Sequence, residues 1–162
     1  MKSIHPSTQI GHVHLKVSNL DKALKFYKDI LGFEISTRYG DQAVFLSAGG
    51  YHHHIGLNTW HTDSQSKQSP EGSTGLYHFA ILLPSRKELA KALKSLIENK
   101  YPIDGASDHG VSEAIYLSDP DGNGVELYAD RPKKDWPKDI KGNITMYTKP
   151  LDLKELLKEA QN

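Results

Sequence analysis

Apolar and polar positions along this chain fall into two copies of one pattern. The segment Ile10-Gly-His-Val-His-Leu-Lys-Val17 lays over Leu76-Tyr-His-Phe-Ala-Ile-Leu-Leu83 without gaps, and His12 falls on His78. Both segments are short, apolar and β-prone, which predicts a strand in each. A helical stripe follows the first, with Leu20, Ala23, Leu24, Tyr27, Ile30 and Leu31 on one face, Ser18-Asn19 as cap and Gly32 as stop. A second follows Pro84-Ser85 over Lys87 to Glu98, with Leu89, Ala92, Leu93, Leu96 and Ile97 on one face. Further strands are expected at 33–39, 43–47 and 53–59, and then near 101–105, at 113–117 and at 124–129. The organisation is two tandem β-α-β-β-β units, an α+β chain. Unit one runs from about 8 to 60, a polar linker covers 61–74, and unit two covers 75–131. A polar, Pro-interrupted tail over 132–162 ends in a short amphipathic helix at Leu151 to Ala160, the whole of 1–162 being expected to act as one domain.

Alternation along a strand puts His12 on one face with His14 and Lys16, and His78 on one face with Ala80 and Leu82. A histidine that opens an apolar strand is, alone, more often a hydrogen-bonded core or edge residue than a ligand. Two at equivalent positions of a repeat are brought together by a pseudo-twofold axis. A third donor stands in Asp119-Pro-Asp-Gly-Asn-Gly-Val-Glu-Leu-Tyr128, where Glu126 interrupts an apolar strand between Val125 and Leu127. A carboxylate there faces solvent, or else is paired, protonated or bound to metal. His12, His78 and Glu126 together make a two-histidine, one-carboxylate set with open coordination positions, suited to Fe(II) and equally able to hold Mn, Zn or Ni. Asp119, Asp121, Asn123, Gly124 and Asp130 partly imitate a calcium loop. Glu126 falls where such a loop needs an apolar residue, the flanks read as strands, and Pro120 fits a turn, so calcium is rejected.

Charge narrows the function classes. Lys plus Arg and Asp plus Glu are 20 each, a formal net charge of zero, which gives no reason to expect nucleic acid or an anionic membrane as partner. No apolar run is long enough to span a bilayer, and MKSIHPSTQI lacks the apolar core of a secretory signal, so a cytoplasmic protein is expected. The absence of cysteine rules out thiol chemistry. Nine histidines are the compositional oddity, three of them consecutive at His52, His53 and His54.

The repeat, the opening Gly-His-Val of one unit, Tyr-His-Phe-Ala of the next and Asp-Pro-Asp-Gly-Asn-Gly-Val-Glu-Leu resemble the vicinal oxygen chelate superfamily, which includes glyoxalases, bleomycin-resistance proteins and extradiol dioxygenases. The resemblance covers residues 8 to 131. It implies paired βαβββ units forming a half-barrel sheet around a metal held by His12, His78 and Glu126. Within that superfamily the similarity is closest to catechol 2,3-dioxygenases. It rests on Asp108-His109, Ile115-Tyr116, Asp119-Pro-Asp-Gly and Glu126, with a departure at Ser107, and on His53-His54-Ile55-Gly56-Leu57, which is similar to the strand carrying that family's acid–base histidine.

That resemblance implies an Fe(II)-dependent ring cleavage of a small aromatic vicinal diol by O2. His53 would act as acid and base, and His109 and Tyr116 would donate hydrogen bonds to the substrate oxygens. Laying Phe45-Leu-Ser over Tyr116-Leu-Ser sets Ile55 opposite Glu126, which puts His53, two residues earlier, on the metal's face. Extradiol members usually carry four βαβββ units and this chain has two, so a homodimer is expected. Two other readings stay open: a glyoxalase-like lyase or isomerase using the metal as Lewis acid, and a drug-binding resistance protein needing no metal.

Overall fold

A computed structural model of the protein describes residues 3–68, 70 and 72–161. The chain forms two compact units, 1–67 and 68–162. Both repeat the order the apolar pattern predicts.

In the first unit β1 (Val13–Lys16) is followed by α1 (Leu20–Leu24), β2 (Glu34–Tyr39), β3 (Ala43–Ser47) and β4 (Ile55–Asn58). The Asn19 side chain caps α1 by accepting from the Lys22 amide. The helix then widens into a π-helical segment, Lys25–Ile30, in which Leu31 N–H reaches back five residues to the Phe26 carbonyl. Gly32, at a φ of 85°, ends it, a conformation that costs a residue with a Cβ. The sheet order is β1-β4-β3-β2, with β1 parallel to β4 and the other pairs antiparallel. One face carries Leu15, Val44, Leu46, Ile55 and Leu57 into a core shared with Ala23, Phe26, Tyr27 and Ile30.

The second unit repeats this as β5 (Phe79–Leu82), α2 (Arg86–Glu98), β6 (Gly105–Asp108), β7 (Ser112–Ser118) and β8 (Gly124–Asp130). Its sheet order is β5-β8-β7-β6, again with first and last strands parallel, and is extended by β9 (Lys149–Pro150) on the β6 edge. Leu89, Leu93 and Leu96 of α2 are fully buried, as are Ile115 and almost all of Leu117, Val125 and Leu127 from the sheet. Two mixed sheets with few helices make this an α+β fold, as the repeat implies. Observed strands start later than the apolar runs. Those beginning at Ile10 and Leu76 become regular at Val13 and Phe79, so His12 and His78 lie just before β1 and β5. The strand expected near 101–105 begins at Gly105, the segment before it being held by the Tyr101 hydroxyl on the Ser118 carbonyl.

The tail is tied to this unit by charge. The helix expected at 151–160 is α3 (Leu153–Lys158), followed by a 3₁₀ turn, Glu159–Gln161, and Leu156 is fully buried. Arg86, at the start of α2, donates through Nε to Glu113, through Nη2 to Glu155 and through Nη1 to Glu159. Glu113 also accepts from Arg131, which pairs with Asp108. Glu113 is 7% exposed and lies at the centre of this network. Glu113→Ala should therefore lower unfolding stability by about 2–3 kcal/mol, since it leaves two guanidinium groups short of a buried partner. Glu113→Gln should cost less. Urea unfolding at neutral pH checks this, and a midpoint equal to the parent's would show the network to be stabilisation-neutral.

Candidate metal and substrate site

In the second unit Glu126 pairs in register with Ala80 on one side and Tyr116 on the other. Paired residues project to the same face. Glu126 therefore shares a face with His78, two residues before Ala80, and with Tyr116, opposite the core face of Val125 and Leu127. His78 Nε2 lies 3.0 Å from Glu126 Oε2, with the side chains 32% and 13% exposed. Gly124 makes this approach possible. A Cβ added there would stand 2.3 Å from the Tyr77 carbonyl oxygen and 3.0 Å from the His78 Cβ, so a larger residue would push the histidine away.

Tyr116 and His109 continue the cluster. The His78 and Tyr116 rings are 5.9 Å apart, and His109 Nε2 lies 2.6 Å from the Tyr116 hydroxyl. Burial first, and then the Glu126 carboxylate, push the Tyr116 phenol above its ordinary value, so the hydroxyl keeps its proton at neutral pH. His109 sits in the β6–β7 hairpin, where Gly110 takes a φ of 78° and the His109 amide donates to the Ser112 carbonyl. The Asp119 carboxylate is engaged within its own turn, accepting from the Asp121 and Asn123 amides and from the Asn123 side chain. That turn shapes the entry to β8.

In the first unit the equivalent face carries His14, Gly56 and Phe45, which are in register across β1, β4 and β3, with His12 just ahead of β1. His12 and His53 have ring centroids 4.4 Å apart, and His53 lies 5.0 Å from the Phe45 ring. The alignment that set Ile55 opposite Glu126 is corrected here by one residue. Ile55 is 2% exposed, on the core face with Val13 and Leu46, and Gly56 is the counterpart of Glu126. His53 reaches the face of His12 for a different reason. Residues 52–54 form a bend ahead of β4, so strand alternation does not govern them. His53 Nδ1 is 2.8 Å from His52 Nδ1, and the His54 ring turns to the Ala48 amide. Partial burial, then the neighbouring His12 and His52, hold His53 below the ordinary histidine value, which favours its neutral, proton-accepting form.

The sequence left His14 and Trp60 without roles. Their rings lie 5.4 Å apart, and the His14 ring fills the space above Gly56, where an added Cβ would meet it at 2.8 Å. Phe45 was not anticipated as a wall of this face. Its signal was available, because it aligns with Tyr116. Among the described residues, no three His, Asp or Glu side chains group to hold a metal ion. In the second unit an imidazole and a carboxylate stand together, and in the first the imidazoles of His12 and His53 are neighbours.

Paired βαβββ units, each with a histidine at the threshold of its first strand, define a class of α+β proteins. The sequence profile of the glyoxalase/bleomycin resistance protein/dioxygenase superfamily matches residues 9–127, and the chain belongs to that superfamily. It is 48% identical over 161 residues to the catechol-2,3-dioxygenase of Bacillus subtilis (strain 168), covering 99% of this chain and 55% of that protein. It is 30% identical over 127 residues to biphenyl-2,3-diol 1,2-dioxygenase 3 of Rhodococcus globerulus, covering 75% of this chain and 63% of that one. The chain thus spans little more than half of the first relative and under two thirds of the second. Among solved structures, a glyoxalase/dioxygenase from Nostoc punctiforme superposes with a TM-score of 0.64 at 17% identity, covering 82% of this chain and 99% of that one, a likeness of fold. No helix among the described residues is long and apolar enough to cross a membrane.

Proposed function

We propose that this protein is an extradiol ring-cleavage dioxygenase for a catechol-like substrate. In this reading His12, His78 and Glu126 hold one divalent metal ion, iron(II) before manganese, zinc or nickel. The observation that carries the reading is the His78–Glu126 pair on an open sheet face beside Tyr116 and His109. Two imidazoles and one carboxylate fit such an ion and leave positions for further ligands. Bound there, the ion would lower the pKa of the diol hydroxyls and hold diol and O2 together. His53 accepts a proton from a substrate hydroxyl and returns one later, a task for a neutral imidazole near pH 7. Phe45 flanks His53 and gives the aromatic ring an apolar wall.

The glyoxalase-like alternative calls for a further protein ligand from the first unit. Gly56, standing where the second unit has Glu126, offers no donor, which favours the dioxygenase. Residues 1–162 act as one cytoplasmic domain, and two copies associate as a homodimer.

The test is oxygen uptake by tag-free protein reconstituted anaerobically with Fe(II) and then given catechol in air. Uptake coupled to a yellow ring-opened semialdehyde is expected. No uptake from protein that binds zinc, nickel or manganese tightly, one per chain, would overturn the dioxygenase reading in favour of Lewis-acid chemistry.

A further inference from the structure

The proposed function leaves most of the histidine run 52–54 unused, yet the bend holds two of its rings in a defined arrangement. His52 Nδ1 and His53 Nδ1 are 2.8 Å apart, and the ring centroids are 4.6 Å apart with the planes at 64°. A straight N–H···N bond of that length would set the centroids about 5.1 Å apart, since a ring nitrogen lies about 1.1 Å from its centroid. Two nitrogens bound at a right angle to one ion, each about 2.0 Å from it, stand about 2.8 Å apart with centroids about 4.5 Å apart. A tetrahedral ion would need about 3.3 Å and about 5.2 Å. The two lone pairs therefore converge on a point beside the rings rather than on each other. The geometry points to a metal site apart from His12, His78 and Glu126: His52 and His53 chelate a tetragonal divalent ion, copper(II) above all, through their Nδ1 atoms, with its remaining positions open to water.

The chain is built to keep that arrangement. The Ser36 hydroxyl donates to the His52 carbonyl at 2.7 Å, the His54 amide donates to the Leu46 carbonyl at 2.8 Å, and the Val13 amide donates to the His54 carbonyl at 3.0 Å. The bend is thus pinned from β1, β2 and β3 before β4 begins. The Tyr51 ring stacks on His52 at 4.0 Å, and Phe45 flanks His53 at 5.0 Å. An ion meets nitrogens that are already placed, so little ordering opposes its binding. His52 is exposed and His53 half-buried, which leaves the pair open to solvent. The His54 ring takes no part, because its Nδ1 accepts from the Ala48 amide at 3.3 Å. Copper(II) heads the divalent series in affinity for nitrogen ligands and takes right-angle positions in a tetragonal plane. The site uses neither His78 nor Glu126 and does not rest on the ring-cleavage reading.

The experiment is copper(II) titration of tag-free, metal-free Glu126→Ala protein, in which the proposed ligand set is broken, followed by calorimetry, electron paramagnetic resonance and ¹H–¹⁵N NMR. One equivalent should bind with an axial resonance spectrum that carries nitrogen splittings, and the amide signals of residues 51–54 should broaden first. His52→Phe in the same background keeps a ring against Tyr51 and removes the nitrogen. It should weaken this equivalent more than about tenfold, with a thermal melt unchanged from its parent's. His54→Gln should leave the affinity as it was. Copper bound as tightly after His52→Phe overturns the site. An equal loss in His54→Gln also overturns it, since the run would then be a diffuse binder rather than a chelate. If Glu126→Ala and wild-type protein bind the same number of equivalents and His52→Phe removes one from each, this site stands and Glu126 leaves the proposed ligand set.

Discussion

Glu126→Ala protein should bind a divalent metal ion more than about 100-fold more weakly than the parent and show no oxygen uptake with catechol. Removing the carboxylate leaves two neutral imidazoles and takes away the one formal negative charge in the proposed set. A hard or borderline cation then loses its strongest electrostatic partner. The folded structure should tolerate the change, since Glu126 lies on the open face and its loss leaves Val125 and Leu127 in the core. Calorimetric titration with zinc or manganese, beside a thermal melt, separates lost affinity from lost fold. Unchanged stoichiometric binding by Glu126→Ala would remove the residue from the ligand set.

His53→Ala should do the opposite, keeping the metal and losing turnover by about 10²- to 10⁴-fold, the usual contribution of a positioned acid–base group. His53 neighbours His12 at 4.4 Å between ring centroids, is paired through Nδ1 with His52, and has a pKa held low by partial burial and the surrounding histidines. It is therefore placed to exchange protons beside His12, its neighbour in the proposed ligand set. The same oxygen-uptake assay reads the loss, and metal content per chain is the control. A variant that turns over normally would show that the proton leaves by another group.

The fold was legible because both units place strand-like and helix-like apolar periods in one order, and period is what a single sequence displays best. Glu126 was legible as a carboxylate between Val125 and Leu127, and the structure places it on the face opposite theirs. The phase of β4 was not legible. Three consecutive histidines offer no alternation, so whether Ile55 or Gly56 matches Glu126 depends on where the bend at 52–54 gives way to regular strand, and backbone hydrogen bonding decides that. The contact of the Tyr147 carbonyl oxygen with His109 Nδ1, at 2.9 Å, was invisible for a deeper reason. Every residue has that group, and only the pairing of β9 on β6 selects this one. A weak trace of the contact does exist in Gly110, the small residue against which the Tyr147 ring lies.

The parallel pairing of first and last strands has a consequence for biosynthesis. Among the described residues β5 has β8 as its one strand partner, and β8 is the last strand of its βαβββ unit to be made. A ribosome working at roughly 5–20 residues per second exposes His78 for several seconds before Glu126 leaves the exit tunnel. During that interval the nascent chain has an imidazole but no carboxylate beside it. The pairing that seats β8 also brings Glu126 to His78, so the proposed metal would load only once the unit is complete, and a chain stalled before Asp130 carries an unpaired edge.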